Sequence, residues 1–210
     1  MLFRSVRGHW VRLDASWREL RAHQHYPAPV RDLLGEGVSA AVLLAATLKF
    51  EGTLTLQLQG NGAVHLLVAQ CTNDFRLRAV ARFDADRVRA LGAGELDFRA
   101  LVGHEGRLTV TVEAVERDSR YQGVVPLTGA TLAQSLEAYF AGSEQLPTRV
   151  RLVANDASTG GLLVQKIPGV GGHDPSDEES VASAWRAAQA GIEALDPIWR
   201  SEERRVGKEC

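Results

Sequence analysis

Between Thr53 and Gln59 the chain alternates strictly, with Leu54, Leu56 and Leu58 on one side and Thr55, Gln57 and Gln59 on the other. That is the period of a half-buried strand. Gly60-Asn61-Gly62 follows, with residues that tolerate positive φ, and Val64 to Gln70 reads as the return strand of a hairpin. Phe75, Leu77, Ala79, Ala81 and Phe83 alternate with Arg76, Arg78 and Arg82, and Arg107 to Val112 alternates again. Glu116-Arg117-Asp118-Ser119 turns this last run into Tyr121 to Leu127, a second hairpin. Gly8 to Leu13 reads as a short strand, and Thr148–Ala154 with Gly161–Ile167 as a final pair.

Helical spacing takes over elsewhere. Val30, Leu33, Leu34, Val38, Ala41, Leu44, Ala45 and Leu48 predict a long helix from Val30 to Phe50. Asp14 or Ser16 caps a shorter helix reaching about Gln24, which Tyr26-Pro27-Ala28-Pro29 breaks. Gly35 and Gly37 each cost the long helix about 1 kcal/mol against alanine, so close packing must offset them. Thr131 opens a helix over Leu132–Ala141, with Gly142 as its left-handed cap. Strict strands beside one long apolar helix predict an α+β fold. Leu54, Leu56, Leu58, Val110 and Val112 should face inward beneath the Val30–Phe50 helix.

After Pro168 the composition changes. Gly169-Val170-Gly171-Gly172-His173-Asp174-Pro175 reads as a hinge. Ser176 or Asp177, followed by Glu178 and Glu179, starts a helix reaching about Ala194, and Asp196-Pro197 stops it. Val181, Trp185, Ala188, Ile192 and Leu195 form its apolar stripe. The stripe either docks permanently on the core or docks conditionally. In the second case Val181, Trp185, Ile192 and Leu195 can bind something apolar.

Composition narrows the function more by exclusion than by assignment. The 210 residues are 45% hydrophobic and 24% charged, as in ordinary globular domains. A formal net charge of −2 argues against a nucleic-acid or anionic-membrane surface. Met1 to Arg7 has no apolar signal region, and the apolar run Ala40–Ala46 is too short to span a bilayer, so a cytoplasmic location is expected. Gly60-Asn61-Gly62 lies between strands, as a turn does and a phosphate loop does not. Gly169 to Gly172 precedes a helix but lacks a lysine and sits among Asp174, Asp177, Glu178 and Glu179. His104-Glu105 lacks the second histidine of a zinc-protease motif, and no acid/base pair or nucleophile context emerges. The two cysteines, Cys71 and Cys210, form no C-x-x-C pair, and Cys71 reads as a small buried side chain. No catalytic residue and no metal ligand is assigned.

Four phrases occur in a telling order. They are Thr47-Leu48-Lys49-Phe50-Glu51-Gly52, Leu56-Gln57-Leu58-Gln59-Gly60-Asn61-Gly62, Arg120-Tyr121-Gln122-Gly123-Val124-Val125, and the stretch from Tyr139-Phe140-Ala141-Gly142-Ser143-Glu144-Gln145-Leu146-Pro147 to Thr148-Arg149. Together they resemble the heat shock protein 33 family, the 33 kDa chaperonins. The likeness runs from about Phe3 to Ile167 and continues to about Arg200. It implies a redox-regulated, ATP-independent holdase for oxidative and heat stress, with a core of mixed or antiparallel sheets packed with helices, a helical linker, and a C-terminal zinc domain. That domain carries four cysteines, in Cys-x-Cys and Cys-x-x-Cys. Implied partners are unfolded or partly folded client proteins, with a homodimer left open and neither nucleic acid nor membrane.

The resemblance divides the chain into a core over 1–168, a hinge and linker helix over 169–200, and a stretch over 201–210 that matches nothing expected and reads as a non-native tail. With neither cysteine motif present, no zinc ligand or redox cysteine carries over. The zinc domain is expected to be absent and the chain to hold no cofactor. The alternative reading is a structural or dimerising module that keeps the fold without regulated client binding.

Overall fold

In the computed structural model of the chain, residues 6–22, 24–48, 50–92, 97–115, 119–167 and 175–206 are described, with 119, 175–178 and 195–206 described by backbone alone. The long helix α2 (Ala28–Thr47) organises them. Every residue from Gly37 to Ala45 is buried, so the helix is apolar on all sides rather than along one stripe. Pro27 caps it and Pro29 sits in its first turn, where a missing N–H costs nothing, so the proline pair starts α2 as well as ending α1 (Ala15–Arg21).

Two antiparallel sheets flank α2. Strands β1 (Val6–Leu13), β7 (Thr148–Ala154) and β8 (Thr159–Lys166) form one, in the order β1-β8-β7. Strands β2 (Gly52–Gly60), β3 (Val64–Thr72), β4 (Leu77–Phe83), β5 (Gly106–Ala114) and β6 (Ser119–Pro126) form the other, in the order β4-β3-β2-β5-β6. The first sheet joins the chain's first strand to its last two. The second sets the three-stranded meander β2-β3-β4 beside the β5–β6 hairpin. Both rest on α2.

The expected inward residues face α2. Leu54, Leu56 and Leu58 are fully buried and pair with Val112, Val110 and Leu108, of which Val112 is half-buried. Gly35 and Gly37 are where packing demands them. A Cβ on Gly35 would lie 2.5 Å from the Ala154 Cβ, and one on Gly37 would lie 2.7 Å from a Leu67 methyl. Ser39, buried in the same helix, shares a 2.8 Å hydrogen bond with the Thr159 hydroxyl, and Thr159 donates to the Val153 carbonyl at 3.0 Å. Trp17 of α1 is fully buried and donates from Nε1 to the Asn155 carbonyl at 2.9 Å.

Several expectations need correction. Gly60 and Gly62 do not take positive φ. They let backbones meet, since a Cβ on Gly60 would fall 2.2 Å from the Val102 carbonyl oxygen, and Gly62 donates to that oxygen at 2.9 Å. Phe75 is no strand residue. It sits at φ 61 in the β3–β4 turn, 54% exposed, held by its N–H to the Thr72 carbonyl. Helix α5 (Leu132–Tyr139) does not end at Gly142 but passes into one π turn, Phe140–Glu144. The left-handed residue is Gln145, φ 54, and the N–H groups of Gln145 and Leu146 both reach the Phe140 carbonyl. Short helices α3 (Ala85–Ala90) and α4 (Phe98–Val102), capped by Asp84 and Asp97, fill a region where no helix was expected.

The last helix, α6 (Pro175–Val206), does not stop at Asp196-Pro197. A proline inside a helix removes one hydrogen bond, and good helix formers on both sides carry the backbone through. The hinge residues 169–174 lie outside the described residues, as do 207–210 of the presumed tail.

Replacing Gly35 by valine should cost about 3 kcal/mol, because the close approach of α2 to β7 leaves no room. Nothing lies within 4 Å of a Cβ placed on Gly191 in α6, so Gly191→Ala should be neutral or stabilise that helix by up to about 1 kcal/mol. Urea titration of the two variants checks both signs.

Candidate functional site

The three-stranded sheet has one apolar face and one that mixes apolar residues with arginines, and the register assigns each residue to one of them. Paired residues share a face, so Val11, Gly161 and Leu152 lie together, as do Trp10, Leu162 and Arg151. The Gly161 face is filled by α2, since a Cβ there would lie 2.8 Å from a Leu43 methyl. Helix α6 lies against β1, β7 and β8, which leaves it the other face, that of Val153, Leu162 and Val164.

The stripe read from the sequence is the face that α6 turns inward. Val181, Trp185 and Ala188 are half-buried and Ile192 is 3% exposed, whereas Arg186, Ala187, Ala190 and Glu193 are exposed. Leu195 is in the helix, but its side chain lies outside the described residues. Burying one side chain the size of Ile192 stabilises docking by about 1.5–3 kcal/mol. The cover is incomplete. Trp10, on the same face as Leu162, stays 75% exposed on β1. No local pattern marks this seat, because the stripe announces that a helix docks and not where.

The four phrases that carry the resemblance have another role. Gly123 of β6 lies under the Tyr139 ring, where a Cβ would come within 2.5 Å of Cε2. Tyr139 and Tyr121 both donate to Glu144 Oε1, at 3.2 and 3.3 Å. Burial, then Tyr121 and the Glu144 carboxylate, raises the Tyr139 pKa, so its hydroxyl stays protonated. Glu137 of α5 accepts from the Val150 N–H at 2.8 Å and faces Arg149 at 3.6 Å. Gly52, φ 148, has the Glu113 carbonyl oxygen 1.9 Å from where a Cβ would stand. These residues are corners of the fold, and none of them forms a reaction centre.

The residues present do not fit a zinc site. Among the described residues no group of three or more His, Cys, Asp or Glu converges. Cys71 faces the core beside Leu54, fully buried, and burial followed by the Asp74 carboxylate pushes its thiol up to about 11. A metal-binding thiol is pushed the other way. Cys210 lies outside the described residues. Among the described residues no helix is long and apolar enough to cross a membrane.

Comparison with known proteins agrees on one family. The model of the family described as Hsp33 protein matches residues 3–200. A 33 kDa chaperonin of Pseudomonas paraeruginosa is 46% identical over 175 residues, which is 83% of this chain and 57% of that protein. One from Shewanella woodyi is 40% identical over 207 residues, covering 96% of this chain and 70% of that protein. The crystal structure of the 33 kDa chaperonin (heat shock protein 33 homolog) of Thermotoga maritima superposes with a TM-score of 0.65 at 26% identity, covering 80% of this chain and 59% of that one. The chain therefore spans little more than half of the first and third.

With a pKa near 11, roughly one Cys71 thiol in a thousand is ionised at pH 8. Ellman's reagent at that pH should leave Cys71 unmodified in the native chain and modify it on unfolding. Peptide mapping separates its signal from that of Cys210, and rapid native labelling of Cys71 would contradict the buried placement.

Proposed function

The chain belongs to the Hsp33 protein family, a family of chaperones rather than enzymes, and we propose that it holds unfolded or partly folded proteins in the cytoplasm without ATP, under heat or oxidative stress. The proposed client surface is the inward face of α6, with Val181, Trp185, Ile192 and Leu195, together with the sheet face beneath it. The observation that carries this reading is the half-covered seat of the helix. Ile192 is buried there while Trp10 on the same face is exposed, so apolar surface is open before the helix moves and more opens when it does. A docking contact worth a few kcal/mol is weak enough to be lost under stress.

In family members that carry the zinc domain, oxidation is what the resemblance names as the trigger. The 210 residues hold neither cysteine motif, so client binding by this stretch needs no oxidant. The unpaired face has a second reading, a dimerising surface in which Trp10 and the α6 face meet a second copy.

Light scattering of a heat-unfolding client decides between these. The chain should suppress aggregation without ATP, equally with and without peroxide, and Trp185→Asp should reduce the protection several-fold. Absence of protection by the intact chain overturns the holdase reading. Protection that appears only after peroxide overturns the claim that no oxidant is needed.

A further inference from the structure

Among the described residues four strands lie at sheet edges, and two of these have one outward N–H covered by a side chain. On β4 the outward N–H of Ala81 donates to the Tyr26 hydroxyl at 3.2 Å. On β7 the outward N–H of Val150 donates to Glu137 at 2.8 Å. The third, β1, has α6 packed on one face of its sheet rather than along its edge. The fourth, β6, has no such closure among the described residues.

The register fixes which β6 groups are free. Leu127 donates to the Gly106 carbonyl at 3.0 Å, and in phase with that bond Val125, Gly123 and Tyr121 exchange hydrogen bonds with Leu108, Val110 and Val112. Arg120, Gln122 and Val124 therefore turn their N–H and C=O groups away from the sheet, and no described side chain accepts from them. All three residues are exposed, Val124 at 52%. Pro126, next in the outward phase, has no N–H and ends the row. Apolar surface flanks the row on both faces, Val124 on the outer one and Tyr121, 47% exposed, on the inner. The Tyr121 hydroxyl is tied to Glu144, which holds its ring at the edge.

We propose that the free edge of β6 binds an extended, uncharged segment of unfolded polypeptide as a sixth strand of the five-stranded sheet, pairing with Arg120, Gln122 and Val124. The inference rests on the holdase reading above and adds a second contact to it. Backbone pairing recognises extension rather than sequence, which suits a binder of many unfolded chains. Successive residues of the bound segment would face Val124 and Tyr121, so alternating apolar residues fit best. A row of three outward donors is too short for the roughly 1,200 Å² that stable protein interfaces bury. That favours a transient client strand over a permanent second copy.

The test uses the whole chain and a short fluorescein-labelled peptide of alternating threonine and valine, alongside the same peptide N-methylated at every residue. Residue-resolved amide exchange, read by NMR, should slow about tenfold at Arg120, Gln122 and Val124 on saturation with the first peptide, while Tyr121, Gly123 and Val125 barely change. The methylated peptide should not bind. Val124→Pro removes one outward donor and no ladder bond, so it should weaken binding about tenfold with the thermal melt unchanged.

Equal binding of the methylated peptide, or slowed exchange confined to α6, overturns the proposal. So does the same protection without peptide in a chain that sediments as a dimer, since a second copy then occupies the edge. Suppressed client aggregation with an unprotected β6 sinks this inference alone. Failure to suppress aggregation at all, with no peptide bound, sinks the holdase reading beneath it.

Discussion

Burial of α2 on every side is the constraint from which the architecture follows. A helix with one apolar stripe can rest on a surface, but one buried continuously from Gly37 to Ala45 must be enclosed. Enclosure takes two sheets, one on either side. Strands from both ends of the described chain supply one of these sheets, since β1 pairs with β8 on the side of α2 that the five-stranded sheet leaves open. The small residues follow from the same demand. Gly35, Gly37 and Gly161 admit Ala154, Leu67 and Leu43 at distances that leave no room for a Cβ. Ser39 is tolerated only because Thr159 answers its hydroxyl.

Periodicity made most of this legible, because strands and helices announce their buried faces through period. The alternation of Leu54, Leu56 and Leu58 and the turn after it located β2 and its partner β3, and the helical spacing from Val30 onward located α2, whereas the pairing of β2 with β5 had no local sign. What escaped was set by contacts distant in sequence. Gly60 and Gly62 carry the mark of a turn, yet they are small because the backbone of α4 approaches them. Gly142 has the composition of a left-handed cap, but the π turn moves that conformation to Gln145, where no sequence rule would place it. Pro197 was read by its local cost, and a long run of helix formers outweighed it.

The apolar stripe of α6 was only half legible. Its phase was correct, since Val181, Trp185 and Ala188 turn inward with Ile192. Its seat on the three-stranded sheet depended on which face α2 had left free, and no local pattern records that. The phrases that betray the family proved to be structural. Gly52, Gly123, Tyr139 and Glu144 sit where backbones cross or hydroxyls share one carboxylate, so substitution there disturbs the fold first. A family can thus be recognised in good part from residues that hold the corners of its fold.

The edges complete the same logic. An antiparallel sheet that does not close on itself leaves unpaired donors at its borders, and these attract other strands unless something covers them. Here Tyr26 and Glu137 each give up a polar group to cover one border. The β6 border has comparable means nearby, since Tyr121, Tyr139 and Glu144 stand beside it. Those groups are spent on one another rather than on the free N–H groups of the strand. An edge left open beside covering groups that are engaged elsewhere differs from one that merely lacks them. In a chain already carrying a half-covered face beneath α6, the proposed holdase role would draw on two chemically distinct surfaces, one reading side chains and the other backbone.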